Sequence, residues 1–250
     1  MPMSRVLLLP LFQFLIKYRR TALGPAWLVV GPALFIGLLG ALYSEISGTP
    51  PAVFIPHLTI GLISWTLIQG FVTGSTTVFQ RARAQIMQGG QTLDDIVMVD
   101  VVTTVLTFLH QAVIILVVLV AYQLVPTWSW LFSLVGLGLV IANGVWVTQL
   151  FGILGARYRD LSEVFQAVMR IAFLATPIIW MPGANGDGGV MGHFLALNPF
   201  HHFLEIVRAP ILGQPIAPLS WAVTLAFTLF GFAAAHLVSA RYARLVPLWV

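Results

Sequence analysis

Apolar runs long enough to cross a bilayer recur six times along this chain, at 26–43, 57–79, 101–124, 131–154, 161–181 and 219–239. A hydrocarbon core about 30 Å thick needs roughly 20 apolar residues of helix. Inside it, every backbone N–H and C=O must be satisfied within the segment, which leaves helices as the form for isolated runs. Only 8% of the 250 residues are charged and 59% are hydrophobic, whereas a soluble domain is about 25% charged. Such a chain could not cover its surface in water. The expected fold is therefore all-α and integral to a membrane, with 1–250 as one transmembrane domain of six spans.

The basic residues orient the spans. The stretch 16–27 holds the only lysine, Lys17, beside Arg19 and Arg20, directly before the first run. Basic clusters next to a span stay on the cytoplasmic side. Arg5, Lys17, Arg19, Arg20, Arg81, Arg83, Arg157, Arg159, Arg241 and Arg244 all fall in alternate connections or at the ends; Arg170 and Arg208 complete the twelve. Six spans with both termini cytoplasmic satisfy this distribution at every loop. The net charge of +4 rests on only eight acids, so it is the topology signal and not a nucleic-acid footprint. Residues 6–16 are apolar except Gln13 but make only about 16 Å of helix. Lys17–Arg20 follow them where a signal peptide would need a neutral cleavage site. An amphipathic interface helix over 4–20 fits better.

Some segments carry more than apolar length. The second run holds Thr66, Gln69, Gly70, Thr73, Gly74 and Thr77, a face expected to look toward a partner or a polar pathway. The polar segment 84–98 begins a short helical pattern at Gln85 and breaks at Gly89-Gly90. Thr92 then caps a new helix with Asp95 at its third position. Asp94 and Asp95 form either a solvated face or a docking contact. His110 and Gln111 lie near the middle of the third run, and Asn143, Trp146 and Gln149 lie in the fourth. Pro177 should bend the fifth. Residues 191–212 hold two apolar pieces too short to span, with Asn198 as cap and Pro199 at the first helical position, as expected of an outer re-entrant pair.

Catalytic apparatus is sparse. The chain has no cysteine, which excludes disulfides, thiolate nucleophiles and cysteine-ligated metals. Lys17 has no Gly-x-x-x-x-Gly-Lys context, so ATP is not bound here by a P-loop. His201 and Glu205 share a helical face but make an incomplete metal set. No carboxylate pair lies at membrane depth. The polar residues at that depth are hydroxyls, amides and a histidine, among many aromatics including Trp65, Phe71, Trp146, Phe151, Phe165 and Phe173. Such an interior suits sugars, whose rings stack on aromatics while their hydroxyls meet Ser, Thr, Asn and Gln. The ordinary alternative is that these aromatics are packing and belt residues.

Three motifs, in order along the chain, carry a family resemblance. They are Tyr18-Arg19-Arg20-Thr21-Ala22-Leu23-Gly24-Pro25-Ala26-Trp27, Ala156-Arg157-Tyr158-Arg159-Asp160-Leu161 and Leu197-Asn198-Pro199-Phe200. Together they resemble the permease subunits of polysaccharide-exporting ABC transporters, the type-2 ABC permease group with its O-antigen, capsule and teichoic acid branch. The resemblance implies a homodimer in the bacterial inner membrane, working with two ATP-binding cassette subunits. ATP and Mg would sit on those partners, with no cofactor on this chain. The cargo would be an undecaprenyl-diphosphate-linked polysaccharide, passing through a channel between the two copies. Tyr18, Arg19 and Arg20 would receive its diphosphate. Arg81, Arg83, Gln85, Asp94 and Asp95 would couple to the ATPase. Trp65, Gln69, Phe71, Thr73, Asn143 and Trp146 are the channel-lining candidates. Two other readings remain beside it: a permease for another lipid or drug, and a membrane acyl- or glycosyltransferase.

Overall fold

The structure is a computed structural model in which residues 10–12, 24–182 and 189–250 are described. The described residues fold into helices joined by short connections. In chain order these are α1 (Trp27–Ser47), α2 (Pro51–Ser75), α3 (Val78–Arg81), α4 (Arg83–Met87), α5 (Leu93–Ala121) and α6 (Trp130–Arg157). Then come α7 (Leu161–Ala175), α8 (Gly189–Leu197), α9 (Pro199–Ile211), α10 (Pro218–Tyr242) and α11 (Val246–Trp249). Five of these, α1, α2, α5, α6 and α10, are long and apolar enough to cross a membrane.

The bundle is built round α2. Leu58, Ile60, Ile63, Trp65 and Leu67 are fully enclosed, as are the small polar residues Thr59 and Ser75. This helix packs against α1, α5, α6, α7 and α9. Close approach to α6 depends on Gly144, where a Cβ would lie 2.7 Å from the Phe71 ring. Helix α6 in turn packs against α9 and α10.

Helix ends follow local chemistry. At the start of α5, Thr92 Oγ1 accepts from the Asp95 N–H at 3.2 Å, and Asp95 Oδ2 accepts from the Thr92 N–H at 3.0 Å. This is the reciprocal capping box read from the sequence. Asn198 caps α9 by accepting from the Phe200 and His201 N–H groups at 3.0 and 3.4 Å. Two short helices, α8 and α9, cover the segment 191–212.

Several boundaries differ from expectation. The second run starts at Pro51 and not at 57, because Pro51 occupies the first turn, where its missing N–H has no cost. It stops at Ser75, where Thr73 and Ser75 hydroxyls bond back to the Gln69 and Val72 carbonyls. The third run starts at Leu93, not 101, since the capping box launches one continuous helix of 29 residues. At about 1.5 Å per residue it is roughly 43 Å long, so its first turns extend beyond a 30 Å core. The segment 84–98 is therefore α4 plus the start of α5, not a separate unit. The fifth run, expected over 161–181, is helical only over Leu161–Ala175. Thr176, the residue before Pro177, is extended with φ −100° and ψ 138°, the conformation a following proline imposes.

Candidate functional site

The polar face of α2 opens onto two grooves. One lies between α2 and α5, about 310 Å³, lined by Thr66, Gly70 and Thr73 on one wall and Thr103, Thr104, Thr107 and Gln111 on the other. Arg81 and Asp100 sit at its end nearest α3, paired at 2.9 Å. The second lies between α1, α2 and α7, about 540 Å³, and is lined by Pro32, Phe35, Trp65, Gln69, Arg170 and Phe173. Thr66 lines both. Thr66, Gly70, Thr73 and Gly74 of this face border the first groove, and Thr66 and Gln69 border the second, whose other walls are mostly apolar.

The expected aromatic lining does not form one surface. Trp65 is buried, packed on Phe173 and Phe200 at centroid distances of 5.8 and 5.4 Å, and only borders the second groove. Phe71, Asn143 and Trp146 lie round a third space, a cavity of about 200 Å³. Its other walls include Phe151, Phe165, Met169, Phe200 and Phe227. The polar atoms there are committed to one another. Trp146 Nε1 donates to Asn143 Oδ1 at 2.7 Å, and Asn143 Nδ2 donates to Thr228 Oγ1 at 2.7 Å and to the Leu139 carbonyl at 2.8 Å. The Trp146 N–H and both Asn143 amide hydrogens are thereby spent, while Asn143 Oδ1 keeps one acceptor position. Of the six candidates, Gln69 and Thr73 stand on groove walls with polar groups.

The coupling candidates cluster at the other end of α2 and α5. Arg83 opens the short α4 and is exposed, with Gln85 half-buried two residues on. Arg81 pairs with Asp100 and also donates to the Gly74 carbonyl at 2.9 Å. Asp95 is held in the cap, while exposed Asp94 accepts from Gln149 Nε2 at 3.2 Å. Gln80 Nε2 ties this corner to α6 through the Gly155 carbonyl at 2.9 Å, and α11 packs under α4. Tyr18, Arg19 and Arg20 lie outside the described residues.

A buried charge cluster was not singled out from the sequence. Arg208, in α9, is 3% exposed. Its Nη1 donates to the Pro177 carbonyl at 2.6 Å and to His57 Nε2 at 3.1 Å, and its Nη2 pairs with Glu205 Oε2 at 3.4 Å. It joins α9 to α2 and to the break after α7. The sequence signal was an arginine set apart from every basic cluster, three residues after the only acid of that segment. Glu205 thus answers to Arg208 and not to a metal. No group of three or more His, Asp or Glu side chains placed to hold a metal occurs among the described residues. His201 beside it is pushed down to about 4 by burial first, then by the Arg208 and His202 charges.

No family model matches the chain. It is similar to the O-antigen export system permease protein RfbA of Myxococcus xanthus, at 25% identity over 210 residues, covering 82% of this chain and 80% of that protein. It is also similar to the O-antigen export system permease protein RfbA of Klebsiella pneumoniae, at 28% identity over 172 residues, covering 66% and 64%. Its relatives are export permeases. This bears out the resemblance to type-2 ABC permeases carried by the three motifs.

Proposed function

We propose that the chain is the membrane-spanning subunit of an ABC transporter that exports a lipid-linked polysaccharide, of the O-antigen kind, across the bacterial inner membrane. The observation that carries this reading is the similarity to O-antigen export permeases along most of the chain. In it, two copies form the channel and two separate subunits hydrolyse ATP with Mg. Six spans place both termini in the cytoplasm. The short α7 is the fifth span, completed by the turn after Ala175, and α8 and α9 are the outer pair. The exposed end of α4 and the first turn of α5 seat the ATPase. Tyr18, Arg19 and Arg20 meet the diphosphate, a group that planar guanidinium matches bidentately.

Surface glycan in a strain lacking its own permease tests the reading, with this chain supplied together with its partner ATPase subunit. Restored surface glycan is the expected result. Glycan retained inside the cell, with both subunits assembled in the membrane, would overturn the reading in favour of another cargo.

A further inference from the structure

The groove between α2 and α5 contains an unmet hydrogen-bonding demand. Thr73, Thr103, Thr104 and Thr107 donate to carbonyls of their own helices at 2.7–3.0 Å. Their donor hydrogens are spent, and their oxygens remain as acceptors. The Thr66 hydroxyl lies 2.7 Å from the Ile63 carbonyl and 2.6 Å from Gln111 Oε1, and its one hydrogen serves one of the two; the Gln111 amide hydrogens remain to give. Asp100 takes Arg81 on Oδ1, while its Oδ2 is buried and has no hydrogen-bond partner. A buried acceptor without a donor is costly, so whatever fills the groove, water or a solute, supplies one. Phe108 and Leu67 add apolar surface to the same lining.

Hydrocarbon cannot meet this lining, since a lipid tail brings no donors to a row of hydroxyl oxygens. A solute rich in O–H groups can, with its own oxygens accepting from Gln111 and its C–H faces resting on Phe108. The volume of about 310 Å³ falls within the usual range for small-molecule sites. We propose that this hydroxyl-lined groove binds the sugar units of the exported glycan, so that α5 supplies a wall of the export path opposite Gly70 and Thr73. This rests on the export reading and moves sugar contact away from the aromatic cavity, whose polar atoms are already paired.

The chain has no cysteine, so single thiols can be placed without background. Thr104→Cys and Thr107→Cys, in the complete transporter in cells, should react with a membrane-impermeant, sulfonate-bearing thiol reagent. Val117→Cys, 61% exposed on the apolar side of the same helix, should not. Cells making the glycan should protect the two groove thiols severalfold relative to cells that do not. Groove thiols that react no faster than Val117→Cys, or that oxidise to disulfide-linked dimers, would overturn the proposal; the second result would make the groove a contact between copies.

Export is the second readout. Thr104→Val/Thr107→Val/Gln111→Leu should lower surface glycan about tenfold, the equivalent of one or two lost hydrogen bonds, at unchanged membrane abundance. Thr104→Ser/Thr107→Ser, which keeps the hydroxyls, should restore it. Normal export by the first variant would also overturn the proposal. If the unaltered chain exports nothing, the export reading itself falls, and thiol reactivity still reports separately whether the groove is wet.

Discussion

Arg208 brings a full charge into a site where three acceptors face it from three parts of the chain. Taking a guanidinium out of water costs several kcal/mol, and breaking such a cluster from one side leaves the other partners buried and unpaired. Arg208→Ala should therefore destabilise the protein by about 3–5 kcal/mol, read as a lower melting temperature in detergent. Arg208→Lys should recover part of that loss, because an ammonium reaches one or two acceptors but not all three. The neighbouring His201 gives a pH signature. Its imidazole is held down to about 4 when folded, against 6.5 when exposed. Above about pH 6.5 both states are neutral and the residue contributes nothing to the pH dependence. As pH falls through 6.5 the unfolded chain takes up a proton that the folded chain refuses, so stability drops, levelling off below about pH 4. The full loss is on the order of 3 kcal/mol. His201→Phe should make the melting temperature measurably flatter between pH 7 and pH 4.

Among the helices, α5 shows how a local signal sets a long-range position. Its cap is legible as Thr92-x-x-Asp95, and the structure places both halves of that box. What the sequence did not reveal is that the helix then runs unbroken into the third apolar run, because Asp100 sits inside it as part of an ion pair with Arg81. Loop polarity and helix polarity look alike when a helix extends beyond the apolar core. Thr92→Ala should cost about 1 kcal/mol, seen as faster amide hydrogen exchange in the first turn of α5. The Asp94→Arg/Asp95→Arg change removes the carboxylate half of that box and reverses the charge that the proposed ATPase seat presents. Loss of co-purifying ATPase is expected there, but retained in Thr92→Ala. The contact between α2 and α6 is a separate test. Gly144→Ala pushes a methyl into the Phe71 ring and should cost about 1–3 kcal/mol by overpacking, lowering the melting temperature by several degrees.

For the molecule as a whole, hydropathy and charge made the helical class and the order of the apolar runs legible, because both depend on composition within a single segment. The start of α9 was legible for the same reason, through Asn198-Pro199. The division of the polar and aromatic residues among three separate spaces was not. Phe71 and Trp65 lie six residues apart on one helix, yet one closes an apolar cavity and the other borders an open groove. Only the packing of α6, α7 and α9 against α2 decides that. Arg208 escaped notice because its partners, His57 and the Pro177 carbonyl, are distant in sequence.

The early stop of α7 has a consequence for the lipid around it. Fifteen residues of helix measure about 22 Å, against a hydrocarbon layer of roughly 30 Å. With α7 as the fifth span, acyl chains beside it must shorten or splay to cover its exposed face of Val164, Val168, Ile171 and Leu174, while those beside the long α5 need not. Such hydrophobic mismatch costs fractions of a kcal/mol per ångström. One flank of the protein therefore favours a thinner bilayer than the other, and two copies joined along their thin flanks would spare the membrane that deformation.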